Sequence, residues 1–385
     1  MARTKIGVAA AVVSFLCALL ATPAQAANLG LIRWSPVPLH GAYVGGFVND
    51  DHGVSETTQI RAFEADTGRT LDIDNTYRCF GIPVCGVHDG VNTGEIIDNP
   101  TVTSDLNNGR IPLISWGCST KPGWTLLDII KGYNMFRAPG GVETPVIQYL
   151  LKEGSKVKGF PDTVFIRWQW EMLGKGASGK CVQTDGGPAN YTQAWKDVYT
   201  LFKTDVGATN ASFVWCPSAS DFSSTVYGSA AHAYYPGNPY VDYVCADGYN
   251  RADQSKNFGT IFGNAYQYAV QVAAPAEKPF MVGETGDEAT NTGSQAQGPW
   301  ITAFFSAVQQ RPDVKAVLYW DSFNCSTQND YSITQSAGKT ASAPVAALHR
   351  IVSSPYFNTR GSSVSTPTTF VAMTDSFKPG CEAGS

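Results

Sequence analysis

Eight short apolar runs, each followed by a longer polar or helix-like stretch, predict an α/β protein built as a single (β/α)8 barrel. Two further observations support this fold class. No internal repeat, low-complexity tract or Ser/Pro-rich linker divides the chain, and polar residues collect at the carboxyl ends of the runs, where a barrel of this kind builds its site.

In chain order the strand candidates are Gly41–Phe47, Arg69–Ile73, Ile111–Trp116, Thr163–Trp168, Ala211–Trp215, Val241–Cys245, Lys278–Val282 and Val314–Trp320. Their length and their β-branched and aromatic content suit buried parallel strands. Helix candidates fall between them at Tyr191–Phe202, Phe258–Ala274 and Pro299–Gln309, with Asn190 placed to cap the first and Pro299 in the first turn of the last. Residues 75–110 lack an apolar rhythm and are rich in Asn, Asp and Gly, so they read as a rim loop, stapled by a local Cys79–Cys85 bridge around Pro83.

The first 26 residues read as a secretion signal. Arg3 and Lys5 precede an apolar stretch from Ile6 to Leu20, and Ala24-Gln25-Ala26 forms a small-residue cleavage site. The mature domain is then 27–385, expected to be exported and extracellular, with no later run long enough to cross a membrane. Losing the two basic residues takes the formal charge from −5 to −7, which argues against a nucleic-acid partner. Eight cysteines remain after Cys17 departs with the signal, an even set suited to disulfides. They contain no Cys-x-x-Cys pair and the five histidines are scattered, so no metal and no cofactor is expected. The expected partner is a polysaccharide substrate, which needs no basic surface, with the protein acting as a monomer.

Two glutamates end strand-like runs 113 positions apart, Glu171 closing Thr163–Glu171 and Glu284 closing Lys278–Glu284. One carboxyl that protonates a leaving oxygen and another that attacks the sugar, roughly 5 Å apart, are what hydrolysis of a glycosidic bond with retention requires. Strand periodicity puts Phe165, Arg167, Gln169 and Glu171 on one face and Phe280, Val282 and Glu284 on one face, with Gly283 leaving room for a close approach. Arg167 beside Glu171 is equally readable as a structural ion pair. Asp221 and Asp321 are competing carboxylates if the register differs. Trp116, Trp215, Tyr249 and Trp320 lie near the ends of four runs, where aromatic faces could line a sugar cleft. The Tyr249 hydroxyl could orient the nucleophile, with Asp247 as a nearby acceptor.

These segments resemble glycoside hydrolase family 26, retaining (β/α)8 enzymes best known as endo-β-1,4-mannanases, with some members acting on mixed-linked β-glucan or xylan. The resemblance rests on Gly-Ala-Tyr-Val-Gly from 41, Pro-Leu-Ile-Ser-Trp from 112, Ile-Arg-Trp-Gln-Trp-Glu-Met from 166, Tyr-Tyr-Pro-Gly-Asn-Pro-Tyr-Val-Asp-Tyr-Val from 234, Asp-Gly-Tyr-Asn from 247, Lys-Pro-Phe-Met-Val-Gly-Glu-Thr-Gly from 278 and Val-Lys-Ala-Val-Leu-Tyr-Trp from 314. It implies Glu171 as acid/base, Glu284 as nucleophile, Tyr249 beside the nucleophile, Arg167 as a carboxylate-orienting group and Trp320 as sugar platform. The chain departs from the family at Trp170 and Leu173, where His and Asn are usual, which removes a polar contact from the catalytic centre.

Overall fold

The computed structural model describes residues 35–48, 55–81, 95–97, 100–117, 124–174, 182–252, 254–272, 277–293, 296–324, 329–333 and 343–365. The expected secretion signal, Cys85 and the cysteines at 118, 181, 325 and 381 lie outside them.

Eight parallel strands close into a barrel in sequence order: β1 (Tyr43–Val48), β2 (Ile73–Arg78), β3 (Ile111–Trp116), β4 (Val164–Trp168), β5 (Ala211–Trp215), β6 (Tyr243–Asp247), β7 (Phe280–Thr285) and β8 (Val314–Asp321). The helices between them are α1 (Glu56–Thr67), α2 (Pro100–Asn108), α3 (Leu126–Arg137), α4 (Pro145–Gly159), α5 (Gly187–Thr200), α6 (Phe258–Val272), α7 (Gln297–Gln309) and α8 (Ala343–Val352). A two-stranded hairpin, β9 (Phe323–Asn324) with β10 (Asn329–Asp330), follows β8. No described helix is long and apolar enough to cross a membrane.

Alternation along each strand sorts side chains into two cores. Tyr43, Ile73, Leu113, Phe165, Val214, Tyr243, Met281 and Leu318 fill the barrel. Their neighbours Val44, Ile114, Ile166, Phe213, Val244, Val282 and Val317 face out and pack beneath the helices. The inward face turns polar only near the carboxyl ends, so the barrel's lower part is sealed and its upper part carries chemistry.

Two expectations are corrected here. The second strand is Ile73–Arg78 and not Arg69–Ile73, so part of the expected rim loop is barrel wall. Its outward residues are polar because they meet a polar seam: Thr76 donates to Glu56 on α1, as does Thr101 of α2, and Arg78 lies 3.6 Å from the same carboxylate. Arg110 reaches Glu64 at 2.6 Å and Asp105 at 3.2 Å. The described disulfide joins Cys216 to Cys245, side by side in the barrel core after β5 and within β6. Cys79 is disulfide-bonded, and the expected partner Cys85 lies outside the described residues. Asn190 does not cap α5, which starts at Gly187; its amide bonds the Asp185 carbonyl at 2.6 Å.

Asn210, the first residue of an Asn-Ala-Ser sequon, is buried, and its side-chain nitrogen lies 2.7, 2.9 and 2.9 Å from the carbonyls of Val157, Phe160 and Asp162. It ties the α4–β4 turn to the start of β5. Asn210→Ala strands these carbonyls at a cost of about 2 kcal/mol, so the melting temperature is expected to fall by several degrees. Peptide mass spectrometry of protein from a glycosylating host should find Asn210 unmodified.

Candidate active site

The mouth is assembled from inward positions at the strand ends: Phe47 on β1, Tyr77 on β2, Ser115 on β3, Arg167 on β4, Asp247 on β6, Glu284 on β7 and Trp320 on β8. Arg167 is its centre. The guanidinium is completely buried and spends its donors on three strands. Nε donates to Ser115 Oγ at 2.8 Å, Nη1 to Asp247 Oδ1 and Oδ2 at 2.8 and 2.9 Å, and Nη2 to Glu284 Oε1 at 2.6 Å. Ser115 in turn donates to Asn75 Oδ1 at 2.6 Å. Arg167 therefore holds the carboxylates of Asp247 and Glu284 in place.

Glu284 reaches this position through an irregularity. Phe280 and Val282 belong to the outer core, so uninterrupted alternation would send Glu284 outward too. Between β6 and β7 the register slips: Ala246 pairs with Val282, but Asp247 pairs with Glu284. Gly283 is the extra residue, and Glu284 turns into the barrel. A Cβ on Gly283 would sit 2.5 Å from both Asp247 Oδ1 and Cys245 Sγ and 3.0 Å from Arg167 Nη1. Glycine is the residue that lets the bulge and the arginine share this space.

Glu284 accepts two more hydrogen bonds, from Tyr77 Oη to Oε1 at 2.5 Å and from Tyr249 Oη to Oε2 at 2.6 Å. Burial and the charge of Glu284 push both phenols well above their ordinary range, so both stay protonated and donate. Tyr77 was hidden in the sequence by the misplacement of β2. Asp247 serves Arg167 rather than Tyr249.

Glu171 arrives differently. β4 ends at Trp168, and Gln169 and Glu171 both take positive φ, 51° and 50°, conformations that cost about 1–3 kcal/mol each in a non-glycine residue. The Glu171 amide donates to the Cys216 carbonyl at 2.8 Å, and Ser218 Oγ donates to Glu171 Oε1 at 3.2 Å. Burial, and next the charge of Glu284, push its carboxyl up to about 7, while Arg167 pulls the other way. One acid is thus held by a cation and two phenols, and the other keeps its proton near neutral pH.

Among the other candidates, Trp320 is half-buried at the mouth and stacks on Phe47 with ring centres 5.8 Å apart. Trp116 does not belong here. It is fully buried outside the barrel against Phe80, Tyr149 and Phe202, because the inward residue of that pair is Ser115. Trp215 likewise packs outward against Tyr235 and Tyr268. Trp170 is half-buried, 5.4 Å over the Arg167 guanidinium and 5.3 Å from the Tyr77 ring, and Leu173 packs on the outer core. Asp321 is buried and accepts the Ile333 amide at 2.6 Å. Asp221 stays close enough for its charge to raise Glu171. Cys216, Cys245 and Asp247 lie within ligand distance of one another, but the sulfurs are bonded together and Arg167 occupies the carboxylate.

Residues 166–323, from β4 through β8, match the family model of glycosyl hydrolase family 26. The chain is 24% identical over 310 residues to Endoglucanase H of Acetivibrio thermocellus, an alignment covering 77% of this chain and 29% of that protein, so the chain spans less than a third of this curated relative's length. In fold it is similar to GH26C from Muricauda sp. MAR_2010_75 (TM-score 0.53, 17% identity, 83% of this chain and 87% of that one). It is equally similar to a modular endo-β-1,4-mannanase from Cellulomonas fimi (TM-score 0.53, 15% identity, 82% and 71%). In this chain Glu171 follows β4 and Glu284 lies near the carboxyl end of β7.

Two outcomes follow from the geometry. Glu171 holds its proton more tightly folded than unfolded, so its contribution to stability is complete below pH 4.5 and is lost as pH rises through about 7. Melting curves of Glu171→Gln and wild type should coincide below pH 4.5 and separate by a few degrees toward pH 7, the variant being the more stable. Gly283→Ala should cost about 1–3 kcal/mol through overpacking, seen as a lower melting temperature at every pH.

Proposed function

We propose that this protein is an exported, retaining endo-glycoside hydrolase that cleaves a β-linked polysaccharide, with β-1,4-mannan the leading substrate. The observation that carries the reading is the unequal treatment of two glutamates at one mouth. Glu284, clamped by Arg167 and two tyrosines, suits an ionised nucleophile; Glu171, with its carboxyl raised to about 7, suits the acid that protonates the leaving oxygen. Once Glu284 becomes a neutral ester its charge no longer raises Glu171, which can then accept a proton from the attacking water. Export rests on the N-terminal sequence alone.

Mannan is favoured because the Cellulomonas fimi fold relative is an endo-β-1,4-mannanase. A β-glucan is the second reading, favoured by the name of the Acetivibrio relative, Endoglucanase H. The sugars differ in the axial or equatorial hydroxyl at C2, next to the reacting carbon. The Trp170 indole, where family members usually carry a histidine, offers that region a ring face instead of a hydrogen-bond partner, which suits recognition by shape and stacking.

Reducing-sugar release should be measured on mannan, mixed-linked β-glucan and xylan. Wild type is expected to hydrolyse mannan best, and Glu284→Ala to lose at least about 10³-fold in kcat. Glu171→Ala should fail on the polymer yet keep its first step on a 2,4-dinitrophenyl glycoside, whose leaving group needs no proton. Activity should decline above pH about 7 as Glu171 ionises. Binding to insoluble mannan with no release of reducing ends on any of the three polymers would make the protein a polysaccharide binder instead.

A further inference from the structure

We propose that Tyr77 is a positioning residue which, with Arg167, makes Oε1 the spectator oxygen of Glu284 and leaves Oε2 as the atom that bonds to the sugar. The inference rests on the reading of Glu284 as nucleophile and concerns which of its oxygens reacts.

A carboxylate oxygen offers two lone-pair directions. On Oε1 both are taken, by Tyr77 Oη at 2.5 Å and Arg167 Nη2 at 2.6 Å. Among the described residues Oε2 receives only Tyr249 Oη, at 2.6 Å, and keeps one direction free. An oxygen with an uncommitted pair can attack without first breaking a charge-assisted hydrogen bond, so the donor count selects Oε2. Tyr77 cannot readily turn away. Its ring lies edge-on to Phe47, centres 4.7 Å apart, and 5.3 Å from Trp170, which also covers the guanidinium.

The two chemical steps use this arrangement differently. In the first, an Oε2 pair forms the bond to the anomeric carbon, the glycosidic C–O bond breaks, and the leaving oxygen takes the Glu171 proton; the charge on Oε1 disappears as it becomes the ester carbonyl oxygen. In the second, water bonds to the anomeric carbon, gives a proton to Glu171, and the C–Oε2 bond breaks with its pair returning to the carboxylate. Part of that charge reappears on Oε1, where Tyr77 and Arg167 are waiting. Tyr77 therefore assists the second step, whereas in the first its donation quiets the attacking carboxylate.

Tyr77→Phe should consequently slow breakdown of the glycosyl-enzyme more than its formation. With the 2,4-dinitrophenyl β-glycoside of whichever disaccharide the wild type hydrolyses, kcat should fall roughly 10- to 100-fold, the range of one charge-assisted hydrogen bond, KM should fall with it, and a phenolate burst should appear. A merely structural role would lower kcat with KM unchanged or raised and without a burst, and that result overturns the proposal. Independently of any variant's folding, a crystal structure of wild type trapped with a 2-deoxy-2-fluoro glycosyl fluoride should show the ester through Oε2 with Oε1 still on Tyr77 and Arg167. An ester through Oε1 overturns the proposal while leaving Glu284 as nucleophile. No label on Glu284 at all would instead overturn the reading of function, and this inference with it.

Discussion

A single guanidinium cut off from water holds the upper barrel together. Arg167 on β4 binds Ser115 on β3, Asp247 on β6 and Glu284 on β7, so three neighbours of different sequence origin are fixed relative to one another by one side chain. Placing a positive charge in the barrel costs several kcal/mol unless it is well paired, and here each of the three nitrogens donates. The same dependence runs the other way. Asp247 is itself buried and has Arg167 as its counter-ion, and removing the arginine would leave two close carboxylates in a low-dielectric site. Stability and the placing of Glu284 are thus one interaction seen from two sides.

Backbone departures from regularity occur where this clamp and its partner acid are built. The register slip at Gly283 turns Glu284 inward, and the positive φ values at Gln169 and Glu171 swing the second carboxyl off the end of β4. Local strain of this sort is maintained by the packing around it. Below the mouth the barrel is apolar, with the Cys216–Cys245 bridge joining the walls that carry Glu171's amide partner and Asp247.

Seven of the eight strands were legible because their outward faces meet apolar helices and so read as apolar runs. β2 was not, since Asp74, Thr76 and Arg78 face the polar seam on α1 and α2, and with β2 misplaced Tyr77 went unseen. The glutamates, Arg167, Tyr249 and Trp320 stood out as polar or aromatic groups at strand ends. Trp116 and Trp215 stood at strand ends as well, but parity decides the face: Leu113 and Ser115 point in, so Trp116 points out. That count was available in the sequence and would have excluded it. Parity would have failed for Glu284, because a bulge follows from the pairing of two strands and leaves only a glycine as its local sign. The Cys216–Cys245 pair depends on the same long-range register.

The proposed division of labour between Glu284 and Glu171 makes a stereochemical demand. If Glu284 attacks the sugar directly, cleavage proceeds through two inversions at the anomeric carbon. Proton NMR of the first product released from a β-linked oligosaccharide, recorded before mutarotation, tests this most directly. The account requires the β-anomer to appear first; initial release of the α-anomer would mean that water, not Glu284, reaches the anomeric carbon first, and would contradict it.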